Sequence, residues 1–366
     1  MPVYADPLDG LAVPAGLLRA WTAGFVERLG TPPDVAADVA DVLVASDRRG
    51  IASHGTARLP NYAALIEAAV MDPAARPVVD GGRPALTRFD ARNGWGHHAG
   101  RVAVDAAIVA ARDLGMAAST VRTTNHYGIA GWYALRAAHE GLIGISLSNT
   151  SPLVAPTRAR EPLIGTNPIA LAAPAGRFGA FCLDMATSTI PRGRVEVAAR
   201  RGETLPIGWA IDADGRPATT PEAALGGALH PLGGEEATGG YKGYGLALAV
   251  DLLTGVLAGS AFGPNILGLF STDGPSDLGQ TFIVIDPAAV DAPGAFERRL
   301  EGYLEQLVAA PTVPDAPGRV LVPGEPEADA ERRSDDRGVM LDAVHAERLI
   351  ALGERYGIPF PASSPG

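Results

Sequence analysis

His54 stands between a serine and a glycine, with Arg58 four residues on and Tyr62 four beyond that. If a helix entered near Ala57 covers them, Arg58 and Tyr62 project from one side with His54 at its mouth. A guanidinium so placed grips a carboxylate bidentately while the imidazole exchanges a proton at the neighbouring carbon. An interfacial helix with a solvated arginine and a capping Ser53-His54 turn has the same spacing. His126 is a second proton-transfer candidate, at the end of a strand and before a helix, where α/β folds place reactive groups. A hydrogen-bonded structural histidine fits there equally well. The run Asp184-Met185-Ala186-Thr187-Ser188, after the strand containing Cys182, suits either a ribose or amide contact or a helix cap.

Lysine plus arginine total 30, yet Lys242 is the only lysine, and there are six asparagines. The excess of Ala, Gly, Pro and Arg suggests a coding background that replaces Lys by Arg wherever either serves. A persisting lysine then points to a compact, movable ammonium that Arg cannot copy. Lys242 follows Gly239-Gly240-Tyr241 at the start of a helix, where exposed amides and a cation make an anion site. A phosphate or a carboxylate fits there.

The 366 residues suffice for two or three domains, or one large one. Hydrophobic residues at 47% against 19% charged exclude wholesale disorder, and a net charge of −11 argues against nucleic acid. The N-terminus shows no signal peptide. The most apolar stretch, 244–263, carries Asp251 and lacks a basic flank, so it reads as a buried helix rather than a membrane anchor. One cysteine excludes a disulfide framework and a cysteine zinc site. The pair His97-His98 lacks a carboxylate at metal-ligand spacing, so no metal is expected, and with His139, His230 and His345 it reads as structural. A cytoplasmic location is the expectation.

The elements that must carry these groups alternate as an α/β fold does. Leu17, Leu18, Trp21, Phe25 and Leu29 form one helical face closed by Gly30, and a second helix follows from Asp34. Further helices are read over 101–114 and about 129–140. Strands are read at 119–122, 143–148, 169–172, 181–183 and 281–285. Residues 311–338 read as an extended wrapping segment, followed by a last helix with Leu341, Val344, Leu349 and Leu352 on one face. Domain boundaries are expected at 1–75 (helical, part of a dimerisation and substrate domain), 76–310 (α/β, cofactor-binding and catalytic) and 311–366 (wrap and last helix joining the first domain, so that the helical domain is built from both chain ends).

No strand-to-helix turn reads G-x-G-x-x-G, and Lys242 is followed by Gly243-Tyr244, so neither a dinucleotide fingerprint nor a Walker loop is present. Seven segments in order instead resemble the type-2 malate/L-lactate dehydrogenase family. That family includes malate, sulfolactate and ureidoglycolate dehydrogenases and cyclic imine reductases. The segments are Asp47 to Gly50 with Ser53-His54-Gly55, Asn125 to Gly128, Gly165 to Pro168, Asp184 to Ser188, Ile207 to Ala210, Lys242 to Gly245 and Val322 to Pro326.

The resemblance implies an NAD- or NADP-dependent oxidoreductase on a non-Rossmann, mixed-sheet α/β fold, working as a homodimer on a small carboxylate. It implies His126 as the acid/base, with Ser53 and His54 as a polar relay. Arg58, Tyr62 and Asn167 take the substrate. Tyr127, Gly128, Thr150, Asp184, Met185, Ala186, Lys242, Gly324, Glu325 and Pro326 take the cofactor. The alternatives are a cyclic 2-imino-carboxylate reductase and a non-catalytic carboxylate-binding protein. Thr157-Arg158-Ala159-Arg160 stands where the family commonly has a Gly-Gly pair, and Arg194 stands where the imine-reductase branch is expected to have an acidic residue that completes a relay with Ser and His.

Overall fold

The computed structural model describes residues 10–361, so the N-terminal stretch read for a signal peptide lies outside them. Eleven strands are β1 (Gly10–Val13), β2 (Val78–Arg83), β3 (Leu86–Asp90), β4 (Met116–Thr124), β5 (Ile143–Ser148), β6 (Ile169–Pro174), β7 (Ala180–Met185), β8 (Ala210–Ile211), β9 (Ala228–Leu229), β10 (Leu278–Ile285) and β11 (Val339–Asp342). The helices are α1 (Ala15–Arg28), α2 (Pro33–Arg48), α3 (Leu59–Glu67), α4 (Gly96–Leu114), α5 (Ala130–His139), α6 (Arg192–Arg201), α7 (Pro221–Leu225), α8 (Gly240–Asp251), α9 (Ala295–Val308), α10 (Glu325–Arg337) and α11 (Ala343–Tyr356).

Seven strands form one sheet in the order β2-β3-β4-β10-β5-β6-β7. Only β3 and β4 run parallel; every other neighbouring pair is antiparallel. This is the mixed, non-Rossmann sheet expected. The registers pair Leu278 with Thr124, Gln280 with Ser148, and Ile169 with both Leu147 and Met185. The ends of β4, β5 and β7 and the starts of β6 and β10 therefore gather at one edge.

Helices α4 and α5 cover one face of the sheet with small residues, Ala103, Ala107, Ala134 and Ala137 among them. Gly144 on β5 permits that approach, because a Cβ there would stand 2.6 Å from the Ala134 carbonyl. A second core joins the two chain ends: Leu18, Trp21 and Phe25 of α1, Val39 and Leu43 of α2, and Leu349 and Leu352 of α11. Burying each such large side chain contributes about 1.5–3 kcal/mol.

Four expectations are corrected. Residues 311–338 are not extended throughout, since Glu325–Arg337 is a helix. It is held to α2 by Arg48–Asp335 and Arg49–Glu331 ion pairs and by Ser334 Oγ donating to the Arg48 carbonyl at 3.0 Å, so charges replace the missing apolar stripe. Leu341 lies in β11, paired with Leu11, while Val344 on α11 is exposed. The apolar stretch 244–263 is not a buried helix. It is the end of α8 and a π-helical turn, Leu252–Val256, with Leu246, Leu248, Leu252 and Val256 open to solvent. Finally, the helix entered near Ala57 is not α-helical until Leu59: single 3-10 turns, Ala52–His54 and Thr56–Arg58, precede α3, whose second residue is Pro60.

Candidate active site

Three of the six asparagines secure the sheet edge where the strands end. Asn125 Nδ2 donates to the Gly94 carbonyl at 2.9 Å and to the Asn93 carbonyl at 3.1 Å. Asn149 bonds Ala261 through Nδ2 and receives the Gly279 N–H through Oδ1, both at 2.9 Å. Asn167 receives the Thr150 N–H at 3.1 Å and donates to the Ala247 carbonyl at 2.9 Å. An amide offers a donor and an acceptor together, which is what loops without a ladder partner need.

His126 emerges from this edge just beyond β4 and is almost buried. The Tyr62 hydroxyl lies 2.6 Å from its Nδ1, and the Gly128 N–H points at the same nitrogen from 3.4 Å. Gly128 needs its positive φ of 79° to turn that amide back. A backbone N–H can only donate, so Nδ1 is the bare nitrogen and Nε2 carries the hydrogen. Among the described residues Nε2 has no hydrogen-bond partner. Tyr62 Oη also lies 3.4 Å from His97 Nε2, so two rings, Tyr62 and His97, back His126.

Opposite stands the turn 51–58. Ser53 Oγ is 2.9 Å from His54 Nδ1, and the His54 ring centroid is 5.5 Å from that of His126. Arg58 Nε donates to the Ser53 carbonyl at 2.6 Å, which leaves its two terminal amino groups free for a carboxylate. The guanidinium carbon sits 5.4 Å from the centre of the Phe270 ring, and that ring also lies 5.8 Å from both His126 and Tyr62.

Burial pushes His54 down to about 4 and His97 to about 3, and holds His126 well below the ordinary imidazole value. Arg58 lowers His54 and His126 further, and it is the one fixed cation acting on both. At neutral pH the pocket thus holds neutral imidazoles and, among the described residues, a single positive charge, an arrangement chemically suited to one carboxylate with a hydrogen-bond donor beside it.

Ser53, His54, Arg58 and His126 come together as expected. Tyr62 does not stand beside Arg58 as a second grip: it is buried and its hydroxyl is occupied by His126. Asn167 is fully buried with both ends of its amide engaged, so it frames the edge instead of facing a substrate. Phe270 is a site residue that the sequence reading missed, and a lone phenylalanine in an irregular loop gives no periodic signal. His97, read as structural, is one of the two rings backing His126.

The residues assigned to a cofactor lie along the same edge. Thr150 Oγ1 receives the Thr166 N–H at 2.9 Å. Thr187, two residues past β7, receives the Leu232 N–H at 2.8 Å, and Gly243 of α8 packs against Leu232 so closely that a Cβ would meet its carbonyl at 2.2 Å. The strand end at Asp184-Met185-Ala186 is thereby joined to the helix start that carries Lys242. Asp184 itself receives the Gly131 N–H of α5 at 2.7 Å, and burial raises its carboxyl to about 6. Gly324 caps α10 with φ 91° and packs on Cys182, Pro326 lies in that helix's first turn, and Glu325 pairs with Arg319. The Tyr127 ring is in the core, stacked on Tyr133 and bonded to Ser146, so only its backbone and Gly128 are near the edge. In the divergent loop, Arg158 pairs with Glu236, just before α8. Arg194 lies 5.2 Å from the centre of the Trp209 ring.

The malate/L-lactate dehydrogenase family model matches residues 13–350. The malate dehydrogenase of Pyrococcus horikoshii is 40% identical over 97% of this chain and 98% of its own, and its solved structure superposes with a TM-score of 0.90, covering 98% and 99% of the two chains. An L-sulfolactate dehydrogenase of Methanothermobacter thermautotrophicus is 32% identical over 90% of this chain and 93% of its own. A Delta(1)-pyrroline-2-carboxylate/Delta(1)-piperideine-2-carboxylate reductase of Pseudomonas putida is 33% identical over 94% and 97%.

Proposed function

The chain belongs to the malate/L-lactate dehydrogenase family, and from that premise we propose that it transfers a hydride between NAD or NADP and a 2-hydroxy acid or its 2-oxo partner. The observation that carries this is the meeting of Arg58, the one fixed cation of the pocket, with the free Nε2–H of His126. The nicotinamide, when bound, supplies or takes the hydride. Arg58 holds the carboxylate and so aligns the neighbouring carbon. His126 Nε2–H gives its proton to the oxygen on that carbon during reduction while the Tyr62 hydroxyl, 2.6 Å away, gives its own to Nδ1, so the ring stays neutral, and both transfers reverse during oxidation. Before the reaction Tyr62 donates to Nδ1 and so keeps the ring hydrogen on Nε2. His54 and exposed Ser53 lead from His126 towards water and return the proton that reduction consumes. Phe270 closes one wall and keeps water from the clamp.

The residues fit a dinucleotide. Lys242 is an exposed ammonium on the first turn of α8, a helix with no side-chain cap, and among the described residues it forms no ion pair. Such a donor set takes a phosphate. Thr150, Asp184-Met185-Ala186 and Gly324-Glu325-Pro326 would line the remainder.

The test is the fall in nicotinamide absorbance when the chain meets NADH or NADPH with pyruvate, oxaloacetate, sulfopyruvate or a cyclic imino carboxylate. Turnover of one or more of the 2-oxo acids is expected. Turnover of the imine alone would favour the reductase reading, against which Arg194 stands; binding without turnover would leave a carboxylate-binding protein.

The chain works as a homodimer on this reading, in the cytoplasm. No helix among the described residues is long and apolar enough to cross a membrane. The apolar faces of the terminal helices are consumed in their own core, but Tyr241, Leu246, Leu248, Leu252, Val256 and Leu257 on and after α8 are between 41% and 58% exposed. A second copy related by a two-fold axis is the commonest cover for such a face. Light scattering at micromolar concentration is expected to give twice the chain mass, and Leu252→Glu to shift it towards one; a wild-type monomer would end the idea.

A further inference from the structure

The segment that carries Ser53, His54 and Arg58 is only two single 3-10 turns broken at Gly55, too short to hold its own position, so something else must fix it. Asp47, in the last turn of α2, does so from one side. Its Oδ2 receives both the Thr56 N–H at 2.9 Å and the Thr56 hydroxyl at 2.6 Å. Gly55 lies flat against the same carboxylate, since a Cβ there would stand 1.9 Å from Oδ1. From the other side comes α11, where His345 Nε2 is 3.0 Å from Thr56 Oγ1. With its own hydrogen given to Asp47, the Thr56 oxygen accepts from His345 Nε2–H. Thr56 is fully buried, and Asp47 and His345 nearly so.

This arrangement is costly to the fold. Burial raises the Asp47 carboxyl to about 7, and its Oδ1 has no partner. Because the folded value lies above the ordinary carboxylate range, ionising Asp47 subtracts stability as pH rises from that range towards 7. A buried carboxylate is weak evidence for stability, and packed apolar side chains would serve a purely structural end better.

We propose that Asp47 is a positioning residue of the reaction, which through Thr56 fixes the turn presenting Ser53, His54 and Arg58 to the substrate. This rests on the dehydrogenase reading above. His126 is held by Tyr62 and Gly128, on other elements, so loosening the turn should displace the clamp and leave the proton donor in place.

The experiment compares Asp47→Ala, Asp47→Asn, Thr56→Val and Thr56→Ser with wild type. Asp47→Ala and Thr56→Val are expected to raise KM for the best 2-oxo acid about 10- to 100-fold, with kcat within about fivefold and NADH affinity within about twofold. Asp47→Asn, which can turn its carbonyl oxygen to both donors, and Thr56→Ser, which keeps the hydroxyl, should stay within about threefold of wild-type KM. A merely structural role would lower the folded fraction and hence apparent kcat, with KM unchanged, and that result would overturn the proposal. So would equal KM values for Thr56→Val and Thr56→Ser, a contrast that decides the matter even if Asp47→Ala fails to fold. The Kd of oxamate, an unreactive 2-oxo monocarboxylate, is measured on the NADH complex of each variant. If wild type turns over no 2-oxo acid the dehydrogenase reading falls, while the oxamate Kd, raised or unchanged, still supports or overturns the role of Asp47.

Discussion

His126→Ala should lose about 100- to 10,000-fold in kcat, the contribution of a positioned acid/base group, and bind NADH as wild type does. Among the described residues no hydrogen bond or ring contact joins His126 to the Lys242 helix start, and the substrate clamp is on a different element, so neither cofactor affinity nor KM should move far. If most of kcat survives, the proton passes through His54, the next imidazole along. The pH profile tests the same assignment. Desolvation, with His54, His97 and Arg58 beside it, holds the His126 imidazolium well below 6.5. The neutral ring is therefore the donor throughout the physiological range. The kcat/KM for reduction should stay level as pH rises through 6 to 7, where an ordinary imidazolium would lose its proton. A fall near 6.5 that disappears in the alanine variant would show the imidazolium to be the donor.

How much of this is legible in the sequence follows from which signals are local. Apolar spacing over Leu18, Trp21 and Phe25 gives α1, and Gly115, in the left-handed region, ends α4 where expected. Five of the seven strands of the sheet are found, all but β5 short of their full lengths, while the hairpin β2-β3 is missed because its largely exposed residues give no apolar run to mark it. What fails are judgements that need the third dimension. The stretch after Tyr244 is apolar enough to be buried, yet half of it faces outward. The run Glu325–Arg337 has almost no apolar face and folds on ion pairs with α2, which no window of sequence can show. In the site, the residue types of Ser53, His54, Arg58 and His126 suffice to suggest carboxylate and proton chemistry. Tyr62 and Asn167 lie at the same edge with their polar atoms engaged by protein partners, which only the fold reveals. The scarcity of asparagine, like that of lysine, carries meaning: three of the six secure the site's edge.

Lys242→Arg should weaken NADH binding by about 1–3 kcal/mol, the range for an unmade charged hydrogen bond, or roughly 5- to 150-fold in Kd. Charge is conserved in this variant, so the loss would come from shape. The lysine stem runs beside Gly239, whose Cβ position lies 3.8 Å from Lys242 Cδ, and the ammonium sits 5.8 Å from the centre of the Tyr241 ring. A planar, wider guanidinium with fixed donor directions cannot follow a phosphate from that position as a three-donor ammonium can. The rival role is a grip on the substrate carboxylate, which would raise KM and leave NADH binding intact. The pocket argues against it, because Arg58 perturbs His54, Tyr62 and His126 alike whereas Lys242 perturbs none of them. Titrating NADH fluorescence without substrate separates the two roles. Equal affinity would sink the cofactor role, and full activity in the arginine variant would mean that the one lysine among 30 basic residues survives by chance.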